Sequence, residues 1–251
     1  MTNKPEGEWT DFGFETVPVS EKQSRVADVF SSVAPSYDIM NDLMSGGVHR
    51  LWKDALMDWM APTSGQSLVD LAGGTGDIAL RFLKRGGSYV HVVDINADMI
   101  NAGRKRRDLN SYKNQIDWTV ASAEDIPAET ASVDRVTISF GLRNVTNRDK
   151  ALSEAHRILR PGGRFCCLEF SSVQNGALAR LYDLWSFRAL PRLGRVVARD
   201  EAAYRYLAES IRRFPPQNEL AQMMSDAGFA QVRYRNLSGG IAAIHSGWKL
   251  D

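Results

Sequence analysis

The sequence predicts a doubly wound α/β fold: a seven-stranded sheet, mainly parallel with an antiparallel last strand, preceded by an N-terminal helical cap. Three observations carry this expectation. From Ser67 onward, short apolar runs alternate with longer stretches of helical periodicity, the pattern of repeated βα units. A glycine-rich turn, Ala72-Gly73-Gly74-Thr75-Gly76-Asp77, stands between the first apolar run and the first helix, where such sheets hold their ligands. The last two apolar runs lack a helical crossover between them, so they pair antiparallel.

Taken in order, residues 1–19 hold Pro5, Gly7, Gly13 and Pro18 without periodicity, which predicts a flexible tail. Ser20-Glu21-Lys22-Gln23 is a helix start, and Val26, Val29, Phe30 and Val33 follow at helical spacing. A second amphipathic stretch from Val48 to Met60 carries Leu51, Trp52, Ala55, Leu56 and Trp59 on one side, giving a helical cap over 20–62. The main domain, 63–251, has strands near Ser67–Leu71, Tyr89–Asp94, Ile116–Ala121, Val133–Ser139 and Arg164–Phe170. Helices near Asp77–Arg85, Ala97–Leu109 and Arg148–Leu159 connect them in Rossmann-like fashion. Pro161-Gly162-Gly163 stops the last of these helices, because proline cannot continue a helix and glycine accepts positive φ. A helical, arginine-rich and aromatic insertion occupies about 173–215. A helix near Asn218–Ala227 and strands near Gln231–Leu237 and Ala242–Lys249 complete the chain.

Composition narrows the function classes. Hydrophobic residues at 43% and charged residues at 24% are ordinary for a globular domain, which excludes wholesale disorder. A net charge of +1 gives no general case for nucleic acid, so no nucleic-acid partner is expected. The two cysteines, Cys166 and Cys167, are adjacent, a spacing that suits neither a structural disulfide nor a zinc site, and no metal is expected. No apolar run approaches the roughly 18 residues of a membrane helix. The expected setting is cytoplasmic, and at most peripheral at the inner face of a membrane.

The glycine turn has two competing ligands. Gly74-Thr75-Gly76-Asp77-Ile78-Ala79 satisfies G-x-G-x-x-A, the dinucleotide fingerprint, so a NAD-dependent oxidoreductase is one reading. Asp70 favours the other, because a carboxylate beside the loop repels a pyrophosphate and attracts the ammonium end of a methionyl group. Asp94 closes the next strand, where an acid accepts hydrogen bonds from both hydroxyls of a ribose. Ser122-Ala123-Glu124-Asp125 follows the third strand at the carboxyl edge of the sheet, where the N–H of Ala123 is placed to read an adenine. Asp70, Gly74, Gly76, Asp94 and Ala123 together suit S-adenosylmethionine.

Longer strings carry a narrower resemblance. They are Tyr37-Asp38-Ile39-Met40-Asn41-Asp42-Leu43-Met44-Ser45-Gly46 with His49-Arg50-Leu51-Trp52-Lys53, then Ser139-Phe140-Gly141-Leu142-Arg143-Asn144-Val145, and Tyr204-Arg205-Tyr206-Leu207-Ala208-Glu209-Ser210-Ile211. In these the chain resembles the ubiquinone/menaquinone biosynthesis C-methyltransferase family, a class I S-adenosylmethionine-dependent methyltransferase family, from about Val26 to Lys249. The resemblance implies transfer of a methyl group from S-adenosylmethionine to a ring carbon of a polyprenyl benzoquinol, a demethylmenaquinol, or both. It implies cofactor contacts at Thr75, Asp94, Ser122, Ala123 and Ser139. At Ser122 the family often has Asn or Asp, which leaves the side chain's role there open.

Methyl transfer from a sulfonium is an in-line displacement, so alignment is the protein's main task. A quinol ring carbon becomes nucleophilic when an adjacent hydroxyl loses its proton, and a nearby positive group stabilises the phenolate. Arg143 and Asn144 follow the fourth strand at the sheet's carboxyl edge, and they are the candidate catalytic pair: Arg143 for electrostatic stabilisation, Asn144 for hydrogen bonding and orientation. His49 and His245 are candidate bases. Tyr37, His49, Tyr204 and Tyr206 are expected to line the quinol pocket. Trp185, Phe187 and Leu190 with Arg180, Arg188, Arg192, Arg195 and Arg199 suit a lid, a peripheral membrane surface, or a packed excursion with solvated arginines. A methyltransferase of another small molecule or of RNA stays open, as does assembly into a homo-oligomer or a quinone-biosynthesis complex.

Overall fold

The computed structural model describes residues 9–33, 42, 45–173, 176, 180, 182, 184–185 and 201–251. Strands β1 (Trp9–Phe12) and β2 (Glu15–Pro18) form an antiparallel hairpin that runs directly into helix α1 (Val19–Val33). Helix α2 (His49–Met60) precedes the βα units: β3 (Ser67–Leu71), α3 (Asp77–Lys84), β4 (Tyr89–Asp94), α4 (Ala97–Arg104), β5 (Ile116–Val120), β6 (Val133–Ser139), α5 (Arg148–Ile158) and β7 (Leu159–Phe170). After the segment around 173–200 come α6 (Glu201–Arg213), α7 (Gln217–Asp226), β8 (Ala230–Leu237) and β9 (Ala242–Trp248).

The seven-stranded sheet has the order β5-β4-β3-β6-β7-β9-β8, with β9 antiparallel to both of its neighbours. Its residues alternate between two apolar layers, as a sheet covered on both faces requires. Leu68, Val90, Val92, Cys166 and Leu168 face the layer built on α2, α3 and α6, whereas Val69, Leu71, Val136, Ile138 and Cys167 face the layer built on α5 and α7. The alternation sends Cys166 and Cys167 to opposite faces, both buried.

Three sequence expectations change. The stretch read as a flexible tail over 1–19 contains the hairpin from Trp9 to Pro18, whose strands are too short and too polar to announce themselves; their order comes from docking against α1 and α6. Pro161-Gly162-Gly163 does follow the end of α5, yet it lies within β7, where the register with β6 shifts between Val133 and Arg135. Positive φ at Gly162 and the bonds Gly162 N–H to Lys249 O (2.7 Å) and Lys249 N–H to Gly163 O (3.0 Å) make the turn a bulge. The helix expected over Ala97–Leu109 ends at Arg104, and a tighter 3-10 stretch runs from Arg107 to Gln115. Most of the 173–215 insertion, with Phe187, Leu190, Arg188, Arg192, Arg195 and Arg199, lies outside the described residues. Among the described residues no helix is long and apolar enough to cross a membrane.

Candidate active site

Strand order reverses between β4-β3 and β6-β7, so a crevice opens at the carboxyl ends of β3 and β6. Both chains leave that crevice through positive-φ residues other than glycine, Ala72 (φ 48°) after β3 and Phe140 (φ 56°) after β6. Such backbone costs of order 1–3 kcal/mol per residue and persists where the surroundings enforce it. Here the two strained turns are pressed together: a Cβ on Gly141 would stand 2.5 Å from the Cβ of Ala72.

The glycine turn is built for close approach. A Cβ on Gly73 would fall 2.7 Å from Asp70 Oδ2, and one on Gly74 would fall 2.9 Å from Met99 Cε. The N–H of Gly74 donates to Asp94 Oδ2 (2.8 Å) and that of Asn96 to Asp94 Oδ1 (2.8 Å). Burial raises the Asp94 carboxyl above its usual range, and these two backbone donors work against that rise. Each oxygen keeps a lone pair for a further donor such as a ribose hydroxyl. Asn96 also caps α4 through Oδ1, while its Nδ2 donates to Ala27 O (3.1 Å) and Ser31 Oγ (3.0 Å), tying α1 over the crevice.

Asp70 is the group most in need of a ligand. It is fully buried, and neither carboxylate oxygen has a hydrogen-bond partner among the described residues. Burial, then the negative charges of Asp94 and Asp77, push its pKa well above the ordinary carboxylate value, with Lys53 opposing. Ser139 Oγ is a second buried polar atom without a partner there. Both line one recess with Lys53, Gly73, Gly74, Thr75, Asp77 and Phe140. Lys53 donates to Asp77 Oδ2 (2.8 Å). Burial alone would raise the Asp77 carboxyl, but Lys53 and Arg81 carry it down to about 2. The recess thus offers a buried, unpartnered carboxylate to a donor-bearing cation, with the Lys53 ammonium beside it.

Beside that recess, and sharing Ala72, Gly74 and Phe140 with its wall, a cleft of about 740 Å³ opens to solvent between α1 and the sheet edge. Val26 and Phe30 of α1, Asp94, Ser122, Ala123, Phe140 and Asn144 are among its walls. Of the residues expected to hold a cofactor, Asp70, Gly74, Thr75 and Ser139 border the recess and Gly74, Asp94, Ser122 and Ala123 the adjoining cleft. Gly76 borders neither: it starts α3 with φ 79° and sits under Trp118, where a Cβ would come within 2.6 Å of the indole. Ser122 Oγ accepts from the N–H of Glu124 (3.1 Å), a local turn bond that explains a serine there without a ligand.

The expected catalytic pair divides. Asn144 borders the cleft, and its Oδ1 accepts from the Tyr206 hydroxyl (3.1 Å), which leaves its two amide N–H donors on the other side of the same planar group. Arg143 points the other way. Its guanidinium is 1% exposed, donates to Glu169 Oε1 (2.7 Å) and Phe140 O (2.5 Å), and lies over the Phe170 ring. The Arg143 backbone N–H also reaches Glu169 Oε2 (3.3 Å).

The expected acceptor-pocket residues are placed unequally. Tyr37 lies outside the described residues. Tyr206 touches the cleft through Asn144, whereas Tyr204 is fully buried in the α6 core. His49 is buried at the start of α2 with Ser45 Oγ 3.0 Å from Nδ1, and burial followed by the charge of Lys53 lowers its pKa to about 4. His245 Nε2 meets Gln217 O (2.9 Å), and its pKa is likewise lowered to about 4 by burial. Neither histidine borders the cleft. Sequence reasoning gave no site role to Lys53, Met99 or the α1 wall. Lys53 had a signal, a lysine one residue past Trp52 on the edge of an apolar helix face.

Comparison with known proteins follows the same direction. The model of the ubiE/COQ5 methyltransferase family matches residues 18–249. The ubiquinone/menaquinone biosynthesis C-methyltransferase UbiE of Acidiphilium cryptum is 57% identical over 243 residues, covering 97% of this chain and 98% of that protein. That of Roseobacter denitrificans is 54% identical over 242 residues, with 96% and 97% covered. Among solved structures, a SAM-dependent methyltransferase of Thermotoga maritima superposes with a TM-score of 0.61 at 20% identity, over 88% of this chain and 98% of that one. The [4+2]-cyclase SpnF superposes at 0.66 with 15% identity, over 90% and 96%. A cyclase on the same scaffold means that the fold alone does not choose the chemistry.

Proposed function

The chain belongs to the ubiE/COQ5 methyltransferase family, and from that premise we propose that it transfers a methyl group from S-adenosylmethionine to a ring carbon of a polyprenyl benzoquinol, a demethylmenaquinol, or both, in ubiquinone/menaquinone biosynthesis. The observation that carries the cofactor assignment is Asp70, a buried carboxylate with no partner among the described residues, at the end of a Cβ-free cradle. A pyrophosphate would be repelled there. S-adenosylmethionine fits, because its ammonium can satisfy Asp70, its carboxylate Lys53, and its ribose hydroxyls Asp94. When bound, it supplies an electrophilic methyl group on a sulfonium whose departure as a thioether needs no acid.

The remaining work falls to this chain's own residues. Val26 and Phe30 line the α1 wall of the cleft and offer an apolar face to the nucleoside. Asn144 orients the acceptor by donating its amide N–H to the quinol oxygen beside the reacting carbon, with Tyr206 holding the amide plane. Arg143 acts as a positioning residue: its charge is neutralised by Glu169, and its grip on Phe140 O fixes the strained turn that presents Asn144. The acceptor hydroxyl loses its proton to water entering the open cleft. S-adenosylmethionine held by Asp70, Lys53 and Asp94 would supply the methyl group to the ring carbon and keep the bonding pair of its sulfur–methyl bond as a neutral thioether, and the ring would then regain aromaticity by releasing its own proton to water. The acceptor's prenyl tail partitions into lipid, so we place the reaction at the inner face of the membrane.

The test is turnover of methyl-labelled S-adenosylmethionine with each reduced quinol in turn. Label on a ring carbon of at least one quinol supports the proposal. Label on oxygen, or on RNA and neither quinol, overturns it.

A further inference from the structure

The hairpin β1–β2 borders neither the recess nor the cleft, and the matched family region begins at Pro18, its last residue. Two consecutive hairpin residues nevertheless reach two consecutive residues of the acceptor-side turn. Asp11 Oδ1 accepts from the buried Lys22 ammonium (3.2 Å) and Oδ2 from Arg148 Nη2 (3.3 Å), and the same Nη2 donates to the Arg143 carbonyl (3.3 Å). The Phe12 ring stacks on Tyr206 with centroids 4.3 Å apart, and Tyr206 holds Asn144 through its hydroxyl. At the hairpin turn the Phe14 N–H donates to Glu209 Oε2 (3.0 Å), and Gly13 approaches α6 so closely that a Cβ would fall 2.4 Å from that oxygen.

We propose that the hairpin is a positioning device for the 140–148 turn, with Asp11 and Phe12 as its positioning residues for methyl transfer. The proposal rests on the reading of Asn144 as the group that orients the acceptor. A two-stranded hairpin has little stability of its own. This one is held in place by α1 and α6, and it passes that constraint to Arg143 from one side and to Asn144 from the other. The Lys22 side chain is 1% exposed and Asp11 is half-buried beside it, so losing the Asp11 carboxylate leaves a buried cation without its partner. Neither contact involves a residue of the cofactor recess, so its loss acts first on the turn that aligns the acceptor.

The experiment uses the full chain with Phe12→Ala, Asp11→Asn and Phe12→Tyr. Three quantities are read: affinity for S-adenosylmethionine, kcat and KM for a short-tailed reduced quinol at saturating cofactor, and hydrogen exchange of peptides over 140–148 and 70–77. Phe12→Ala and Asp11→Asn are expected to lower kcat/KM for the quinol about tenfold, within the range that small misplacements produce. Cofactor affinity stays within about twofold, and exchange quickens over 140–148 but not over 70–77. Phe12→Tyr restores the rate. Unchanged quinol kinetics in both variants would overturn the proposal, as would a loss that tracks cofactor affinity and speeds exchange in both peptides alike. Asn144→Ala is measured alongside: if it turns over normally, the reading of the turn fails and the hairpin proposal with it. If it is impaired while the hairpin variants are not, the hairpin proposal alone fails.

Discussion

Replacing Asp70 by asparagine keeps the side chain's shape and removes its charge, so it separates what the carboxylate does for the fold from what it does for the cofactor. In the cofactor-free protein both oxygens are buried without partners among the described residues. A buried group left unsatisfied costs about 1–3 kcal/mol when neutral and more when charged, and the asparagine amide keeps only the neutral cost. Asp70→Asn is therefore expected to stabilise the free protein by about 1–3 kcal/mol, and at about 2–4 °C per kcal/mol for a chain of this size Tm rises by roughly 2–12 °C. The sign of the pH dependence follows from the raised pKa. The folded state keeps a proton that the unfolded chain releases near pH 3.8, so wild-type stability falls as pH rises from there through the folded-state value. The asparagine variant lacks that fall, and its advantage grows with pH above about 4. With cofactor the order reverses. Loss of one charge-assisted hydrogen bond, about 1.5–3 kcal/mol, weakens S-adenosylmethionine binding by roughly 10- to 150-fold. Calorimetric unfolding from pH 4 to 8 and titration calorimetry measure both arms. A variant less stable than wild type at neutral pH, with undiminished cofactor affinity, would refute the reasoning.

Three further outcomes are expected. Gly73→Ala drives a methyl group to within 2.7 Å of Asp70 Oδ2 and 2.8 Å of Val92, so cofactor affinity should fall at least about tenfold by equilibrium binding while far-UV circular dichroism stays unchanged. Glu169→Ala leaves the Arg143 guanidinium buried without its carboxylate and should cost about 3–5 kcal/mol in urea denaturation; a loss under about 1 kcal/mol would contradict the buried pairing. His49 and His245 stay neutral in the folded protein down to about pH 4, whereas in the unfolded chain they take up protons near 6.5. Stability contributed by each is present above pH 6.5 and lost as pH falls toward 4, on the order of 1–2 kcal/mol apiece between pH 7 and 5. His245→Gln, which keeps a donor toward Gln217 O, should flatten that acid limb by about half, read from denaturation midpoints across the same range.

Much of the fold was legible because both faces of the sheet are covered, which forces apolar runs bounded by turns at Ser67–Leu71, Tyr89–Asp94 and Val133–Ser139. Asp70 and Asp94 were legible for a related reason: strand direction in a βα unit sends both carboxyl ends to one edge, and the first two strands of such a sheet lie side by side, so their terminal acids converge. The orientation of Arg143 was not legible. It depends on Glu169, 26 residues further along β7, and the neighbourhood of β6 and β7 is a fact of sheet order. Local sequence places Arg143 and Asn144 together, and only the tertiary partner separates one that faces the cleft from one that faces the core. The hairpin was hidden because Trp9–Phe12 and Glu15–Pro18 carry no alternation; long-range bonds such as Phe14 N–H to Glu209 hold them. Lys53 was obscured by its helix, where a lysine beside Trp52 looks like the solvated rim of an amphipathic face until Asp77 is brought against it.

The most direct measurement of the central claim is a crystal structure of the chain with S-adenosylmethionine added. The account predicts the nucleoside across the ends of β3 and β4, with its ammonium within hydrogen-bond distance of Asp70 and both ribose hydroxyls on Asp94. Full occupancy elsewhere on the protein, with the Asp70 oxygens still unpartnered, would contradict it.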